Sequence, residues 1–510
     1  MENTLSITVG KFTLESLTTG MYSDARIIYR EYIQNAVDSL ENAVNQEIIE
    51  SDEMRINIII DSELRHISIR DNGTGVTSID APRILLNIGD STKRSSNSRG
   101  FRGIGRLGGM SYCDKLIFTT TAVNEDKCTT ITFDCAKLRH LLGPDVQGYN
   151  DLATLLSDVT DVKYGNEKKD AHYFAVDLYG VDETTGLLDD NDVKTYIEEV
   201  APLPYSKLNF YRSTQVEQYM EQNSYEIEEF PIFLGTSYNN IQPLHKLNKV
   251  RFRTNRGKRE PDEIDEIVLF PVKVDGEVVA LGWYADCSWR GMLSDQEMAG
   301  LRVRKGNILI GDRSTLNPIF GTQTRFNGYV QGEIFVISDK LVPNARRDDF
   351  EKNDTYLKFI QVLKAQIGFP IISKIRAASQ KRNDVVSKTI KKANNVIDET
   401  KNELSEGFNS KVDKAEVIQN LVDIQDVLDH LPTTIDTERQ KITEELKKTV
   451  EDLANQVADS NHYRLDDVTK TLDRKSKKML QIVSEVLSEK LSKDLANLIL
   501  DGIKEKLREK

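Results

Sequence analysis

The stretch on which the reading turns is Arg30-Glu31-Tyr32-Ile33-Gln34-Asn35-Ala36-Val37-Asp38-Ser39-Leu40. Set on a helix at about 100° per residue, Glu31, Asn35 and Asp38 fall within one narrow arc. Tyr29, Ile33, Ala36, Val37 and Leu40 take the opposite arc, so that side can be buried. Ser23 or Asp24 is placed to cap the helix, because either oxygen can accept from the free amides of a first turn. The polar stretch after Leu40 is expected to end it. Taken alone, a row of carboxylate, amide and carboxylate is most often a solvated face. The sequence downstream changes its meaning.

Two β-branched runs follow, 55–60 and 66–70, which read as strands joined by a turn. The second runs into Asp71-Asn72-Gly73-Thr74-Gly75-Val76. Glycines here permit a tight turn and close approach of a ligand to the backbone, and Asp71 offers an acceptor at a strand end. By itself Asp-Asn-Gly more often marks a hairpin. Residues 87–99 are polar and read as a loop ending in Gly100-Phe101-Arg102-Gly103-Ile104-Gly105, ahead of a strand at 115–121. A dinucleotide fold would place such glycines after the first strand of a strand–helix–strand unit. After a loop, they fit a helix opening whose free amides receive phosphate oxygens.

A helix bearing Glu, Asn and Asp, then DxGxG at a strand end, then a loop closing on GxxGxG: this order resembles the GHKL ATPase superfamily. Within it the chain looks most like the heat-shock-protein-ninety chaperones, whose N-terminal segment is similar to Phe12–Leu17 and Tyr22–Glu31. The resemblance implies a site for ATP and Mg²⁺. Asn35 would ligate the metal through its side-chain oxygen, a hard ligand for a hard cation. Glu31 would be the general base for the attacking water, with Arg30 restraining its carboxylate. Asp71 would accept from the adenine amine, and Gly73 and Gly75 would make room for the purine. Thr92, Gly100, Gly103, Ile104 and Gly105 are implied as further nucleotide-binding positions, the glycines presenting amides to phosphates. Residues 82–105 would form a lid. Asp38 would contact the nucleotide or hold the water network of the site.

Strands at 129–133 and 172–178 and a helix at 191–200 complete an expected ATP-binding domain, 1–206, with 137–168 unassigned. An α/β unit at 207–370, with strands at 266–272, 278–284, 300–310 and 332–336, resembles the middle or transducer domain of heat-shock-protein-ninety, MutL and MORC proteins. In the chaperones a loop like Leu341-Val342-Pro343-Asn344-Ala345-Arg346-Arg347-Asp348-Asp349-Phe350 carries an arginine to the γ-phosphate. Arg347 is the first choice for that role and Arg346 the second; a cation there would offset charge developing on the phosphoryl group. Locally, the same residues also read as a surface Arg–Asp cluster. Trp283 and Trp289 read as core and interface.

Residues 371–510 are expected to be helical, with apolar seams at Ile435, Ile442, Leu446, Val450, Leu453 and Val457 and at Leu480, Val483, Leu487, Leu491, Leu495 and Leu498. Pro432 falls near a hairpin turn. The fold class is α+β: an N-terminal GHKL sandwich, a transducer-like middle and an all-α coiled coil or bundle. That last part departs from the chaperones, whose C-terminal dimerisation domain is mixed α/β.

With 510 residues, 39% hydrophobic and 29% charged, the chain has material for two to four domains. A net charge of −13 argues against general nucleic-acid affinity. Cys113, Cys128, Cys135 and Cys287 show no metal-ligand spacing and read as reduced thiols. No apolar run can cross a bilayer and the start lacks a signal peptide, so a cytoplasmic protein is expected. The expected function is a slow, Mg-dependent ATPase clamp, dimeric through its C-terminal helices, acting on a protein client or an operon-encoded partner. The alternatives are a nucleotide-sensing scaffold and a MORC- or MutL-like nucleic-acid clamp using Arg251, Arg253, Arg256, Lys258 and Arg259.

Overall fold

The computed structural model describes residues 24–86, 105–143, 146, 152–255, 261–344, 346–431 and 437–509. The chain divides into two compact units at Ile375/Arg376. Among the described residues the first holds two sheets and the second holds helices with no sheet, an α+β chain.

In the first unit the helix Ile27–Asn45 lies on an eight-stranded sheet. Its strands are β1 Ile56–Asp61, β2 His66–Asp71, β3 Lys115–Thr121, β4 Lys127–Asp134, β5 Thr160–Asn166, β6 Tyr173–Tyr179, β7 Ile232–Ser237 and β8 Asn240–Pro243. They lie in the order β5-β4-β3-β6-β2-β1-β7-β8. Neighbours are antiparallel except for β1 and β7, which run parallel with Ile56 opposite Ile232 and Ile59 opposite Gly235. Alternating burial along the strands turns Ile58, Ile60, Ile67, Ile69, Leu116 and Phe118 into one core with the apolar face of the helix. The sheet therefore continues past residue 206, where a domain end was expected.

Several local expectations shift. The helix starts at Ile27 with Arg26 at the N-cap position, not at Ser23 or Asp24; Ser23 lies outside the described residues. The Asp24 carboxylate still takes a free amide, accepting from the Arg26 N–H at 2.9 Å. The helix continues beyond Leu40 to Asn45, since Ala43 still packs into the core. The unassigned 137–168 region contributes the helices Cys135–Leu142 and Leu152–Val159 and the strand β5. Residues 5–22, where the sequence suggests a short strand and a helix leading into the helix Ile27–Asn45, lie outside the described residues.

The second sheet contains β9 Arg251–Phe252, β10 Asp262–Val274, β11 Glu277–Cys287, β12 Gly300–Lys305, β13 Ile308–Leu309 and β14 Gln331–Val336, in the order β13-β12-β14-β11-β10-β9. The run 300–310, read as one strand, is a hairpin. Gly306 and Asn307 take φ of 54° and 56°, the backbone twist that a two-residue turn needs. Trp283 and Trp289 are both buried, Trp283 stacked on Phe210 with ring centroids 5.0 Å apart.

Beneath this sheet sits a buried ionic knot. The Glu333 carboxylate accepts from Lys246 Nζ at 3.0 Å, from the Arg304 guanidinium and from the Tyr205 hydroxyl. Arg304 also donates to the Glu199 carbonyl at 2.9 Å, and Arg302 pairs with the Glu199 carboxylate at 3.1 Å. Burial raises the Glu333 pKa, but Arg304 and Lys246 outweigh it and hold the acid down to about 2. Burial pulls Lys246 down to about 8. The segment 199–205 is thereby tied to the second sheet.

In the helical unit, Val385–Glu406, Lys411–Asp429 and Thr437–Asp459 share a core that includes Ile397, Leu421, Ile424, Leu428, Val450 and Val457. Of the first seam, Leu446, Val450, Leu453 and Val457 are buried, Ile442 is exposed, and Ile435 and Pro432 lie outside the described residues. The second seam does not run along one helix. Arg474–Lys490 ends where Leu491 becomes extended, and Lys493–Arg508 starts afresh after Ser492. Leu495 and Leu498 are consequently exposed, while Ala496 and Leu500 face inward.

Candidate functional site

On the helix Ile27–Asn45, the face opposite the core is not a solvated one. The Glu31 side chain is 18% exposed, Asn35 is half-buried and Asp38 is buried. Gln34 is 1% exposed, and neither its Oε1 nor its Nε2 has a hydrogen-bond partner among the described residues. Arg30, one turn earlier, is buried with its Nε unpartnered and its Nη2 3.9 Å from Glu31 Oε1. Orphaned buried polar atoms are uncommon in folded proteins because each carries a desolvation cost. Here they gather on the face that bears Glu31.

Asp71, the last residue of β2, is buried against the same helix. Burial pushes its carboxyl up to about 7, although the Gly73 amide, at 2.9 Å, and the Ser39 hydroxyl oppose that shift. A Cβ on Gly73 would come within 2.1 Å of Ser39 Oγ, so only glycine lets the strand end meet the helix this closely. Gly75 has φ +61°, and a Cβ there would strike the Thr121 carbonyl. Val76 N–H donates to Thr120 Oγ1, which donates to the Tyr173 carbonyl, both at 2.9 Å. His172 Nδ1 lies 2.9 Å from the Gly73 carbonyl. A carbonyl only accepts, so Nδ1 carries the proton.

The loop Leu341–Phe350 reaches this helix from 316 residues away: Arg30 Nη2 donates to the Arg346 carbonyl at 2.9 Å. Asn344 N–H to Asp349 O, at 2.8 Å, and a bridge between Pro343 and Phe350 close the loop. Arg347 sits in the left-handed region at φ 55°, with its carbonyl held by the Gly311 N–H at 2.8 Å. A non-glycine residue there carries strain on the order of 1 kcal/mol that its surroundings must offset. The Arg346 guanidinium turns outward to Asp348 at 3.3 Å.

Residues 24–152 match the family model described as histidine kinase-, DNA gyrase B-, and HSP90-like ATPase. These residues form a GHKL-type ATPase domain. The chain is also similar to proteins named chaperone protein HtpG. It is 28% identical to that of Hydrogenovibrio crunogenus over 132 residues, 22% of this chain and 21% of the relative. It is 39% identical to that of Chlorobium phaeobacteroides over 97 residues, 18% and 15% of the two chains. For the Yersinia pestis protein the figures are 26% over 144 residues, 25% and 23%. The chain thus matches less than a quarter of the length of each of these relatives.

Within the GHKL domain, then, Glu31, Asn35 and Asp38 lie along one helix, and the strand end carrying Asp71 and Gly73 meets that helix at Ser39. Gly105 opens the short helix Gly105–Ser111, whose Gly109 N–H donates to the Tyr32 hydroxyl at 3.2 Å. Thr92, Gly100, Gly103 and Ile104 lie outside the described residues, as does most of the expected lid; residues 82–86 belong to the helix Asp80–Leu86. Ser39, Thr120, His172 and Gln34 were missed. Ser39 could have been found, since it follows Asp38 on the helix and its partner is the expected Asp71. A lone histidine and a lone glutamine carry no such signal. Of the basic cluster at 251–259, Arg251 is paired with Glu263 at 3.0 Å, and residues 256–260 are outside the described residues.

Proposed function

We propose that this chain is an ATP hydrolase that couples turnover in the GHKL domain to movement of a protein partner. The observation that carries the reading is the Arg30–Arg346 bond, which puts the loop holding Arg347 beside the helix holding Glu31. Buried, unpartnered Gln34 and the buried Asp71 acid fit a pocket that receives a polar ligand. Among the described residues no group of three or more His, Cys, Asp and Glu could hold a metal. In this reading Asn35 and phosphate oxygens would hold magnesium, which bound there would neutralise phosphate charge.

In this reading Asp71 accepts from the exocyclic amine of adenine. Glu31 takes a proton from water as the water oxygen attacks the γ-phosphorus, and ADP departs with the electrons of the broken P–O bond. Arg347 offsets the charge gathering on the phosphoryl oxygens. In the helical unit Met479, Ile482 and Val486 are exposed at helical spacing, an apolar stripe suited to joining two copies. No helix among the described residues is long and apolar enough to cross a membrane.

The test is ATP hydrolysis and nucleotide binding by wild type and Glu31→Ala. Loss of turnover by about 10²–10⁴-fold with binding retained is expected when a general base is removed. Undiminished turnover in Glu31→Ala would end the assignment. Binding without turnover in both proteins would move the reading to a nucleotide sensor.

A further inference from the structure

The helical unit contains a polar concavity that the ATPase reading does not use. A cleft of about 1330 Å³ lies along the end of the helix Phe369–Asn383, the start of Val385–Glu406 and the start of Thr437–Asp459. Among the described residues, Arg376, Lys381, Lys391 and Arg439 line it, with Asp384 as the one acid. That acid is already engaged: Oδ1 accepts the Val386 N–H at 3.2 Å as helix cap, and Oδ2 pairs with Arg439. Lys381 and Lys391 are exposed. From residue 376 to 392 the sequence holds six Lys and Arg against that single acid, within a chain of net charge −13. A concentrated positive region in an otherwise acidic protein points to a polyanionic partner.

The remaining lining decides which polyanion. Hydroxyl and amide groups such as Ser379, Gln380, Asn394 and Asn395 stand between the cations, and among the described residues the apolar lining is limited to Ile390 and Ile442. Acidic peptides bind tightly through buried apolar anchors, for which this cleft offers little. Lys and Arg interspersed with Ser, Asn and Gln are the groups that contact phosphates and sugars. The described lining contains no aromatic ring, so unpaired bases would find no stacking platform. We propose that this cleft binds double-stranded nucleic acid through its phosphate backbone, without reading base sequence.

Fluorescence anisotropy of a labelled DNA duplex with the full chain tests this. Wild type is expected to bind, weakening steeply between about 50 and 200 mM salt as counterions are released. Lys381→Glu with Lys391→Glu is expected to weaken binding at least about tenfold and to lower the log–log salt slope by about 2, one for each lost phosphate contact. Lys381→Gln with Lys391→Gln should show a smaller loss in the same direction, and thermal melts would confirm that both doubles fold. Arg251→Glu with Arg253→Glu should leave affinity unchanged. The proposal is overturned if wild type does not bind the duplex at low salt, or if both cleft doubles bind like wild type. Stronger binding of polyglutamate or of a single strand than of the duplex would overturn it as well.

Discussion

Two buried polar clusters in the first unit are built on opposite terms. Around Glu333 the charges answer one another: Lys246, Arg304 and Tyr205 all converge on one carboxylate. On the Glu31 face, Gln34 and Arg30 are as deeply buried, yet among the described residues Gln34 has no partner at either polar atom and Arg30 none at Nε. A buried donor or acceptor left unmet costs about 1–3 kcal/mol. The first cluster is therefore complete within the fold and serves it. The second is incomplete among the described residues, which is what supports the proposal of a ligand site there.

The contrast can be broken at either end. The largest effect is expected from Glu333→Ala, which strands Arg304 and Lys246 in the interior and should cost about 3–5 kcal/mol in urea unfolding. A loss too small to measure would mean the knot is not structural. Next comes Asp71, whose folded pKa of about 7 stands above the ordinary 3.8. A raised acid stabilises the fold fully below its unfolded pKa and loses that contribution as pH rises through the folded one. Relative to Asp71→Asn, wild type should thus lose on the order of 2 kcal/mol between about pH 5 and pH 8. Parallel pH profiles for the two proteins would refute the buried acid. Smallest is Gln34→Met, which removes the orphaned amide at similar volume. It should raise stability without ligand by about 1 kcal/mol while weakening nucleotide binding. If it destabilises instead, the amide belongs to the fold.

What could be read in advance followed local chemistry. Ile56–Asp61 and His66–Asp71 were legible because β-branched runs bounded by turn residues leave few other choices. The helix face was legible from its spacing, and its exact start was not, because Asp24 caps through an amide two residues on rather than at the expected position. The short helices at 135–142 and 152–159 carry too few turns for a periodic signal. The contact from Arg30 to the Arg346 carbonyl had no signature at all, since every residue owns such a carbonyl. The second C-terminal seam misled because its spacing survives a helix break at Leu491 that no glycine or proline marks.

The parallel pairing of β1 with β7 has a consequence for synthesis. Residues 56–59 must wait for residues 232–235 before their outer edge is covered. At usual translation rates that interval is on the order of ten seconds or longer. Throughout it the nascent chain presents Ile56, Ile58, Ile59 and Ile60 on an open strand edge, the kind of surface that seeds edge-to-edge association. A polypeptide cut at 206 would never cover that edge. The nucleotide-binding sheet is thus finished by sequence that lies beyond its own motifs, and the chain emerging from the ribosome is itself in need of protection until β7 arrives.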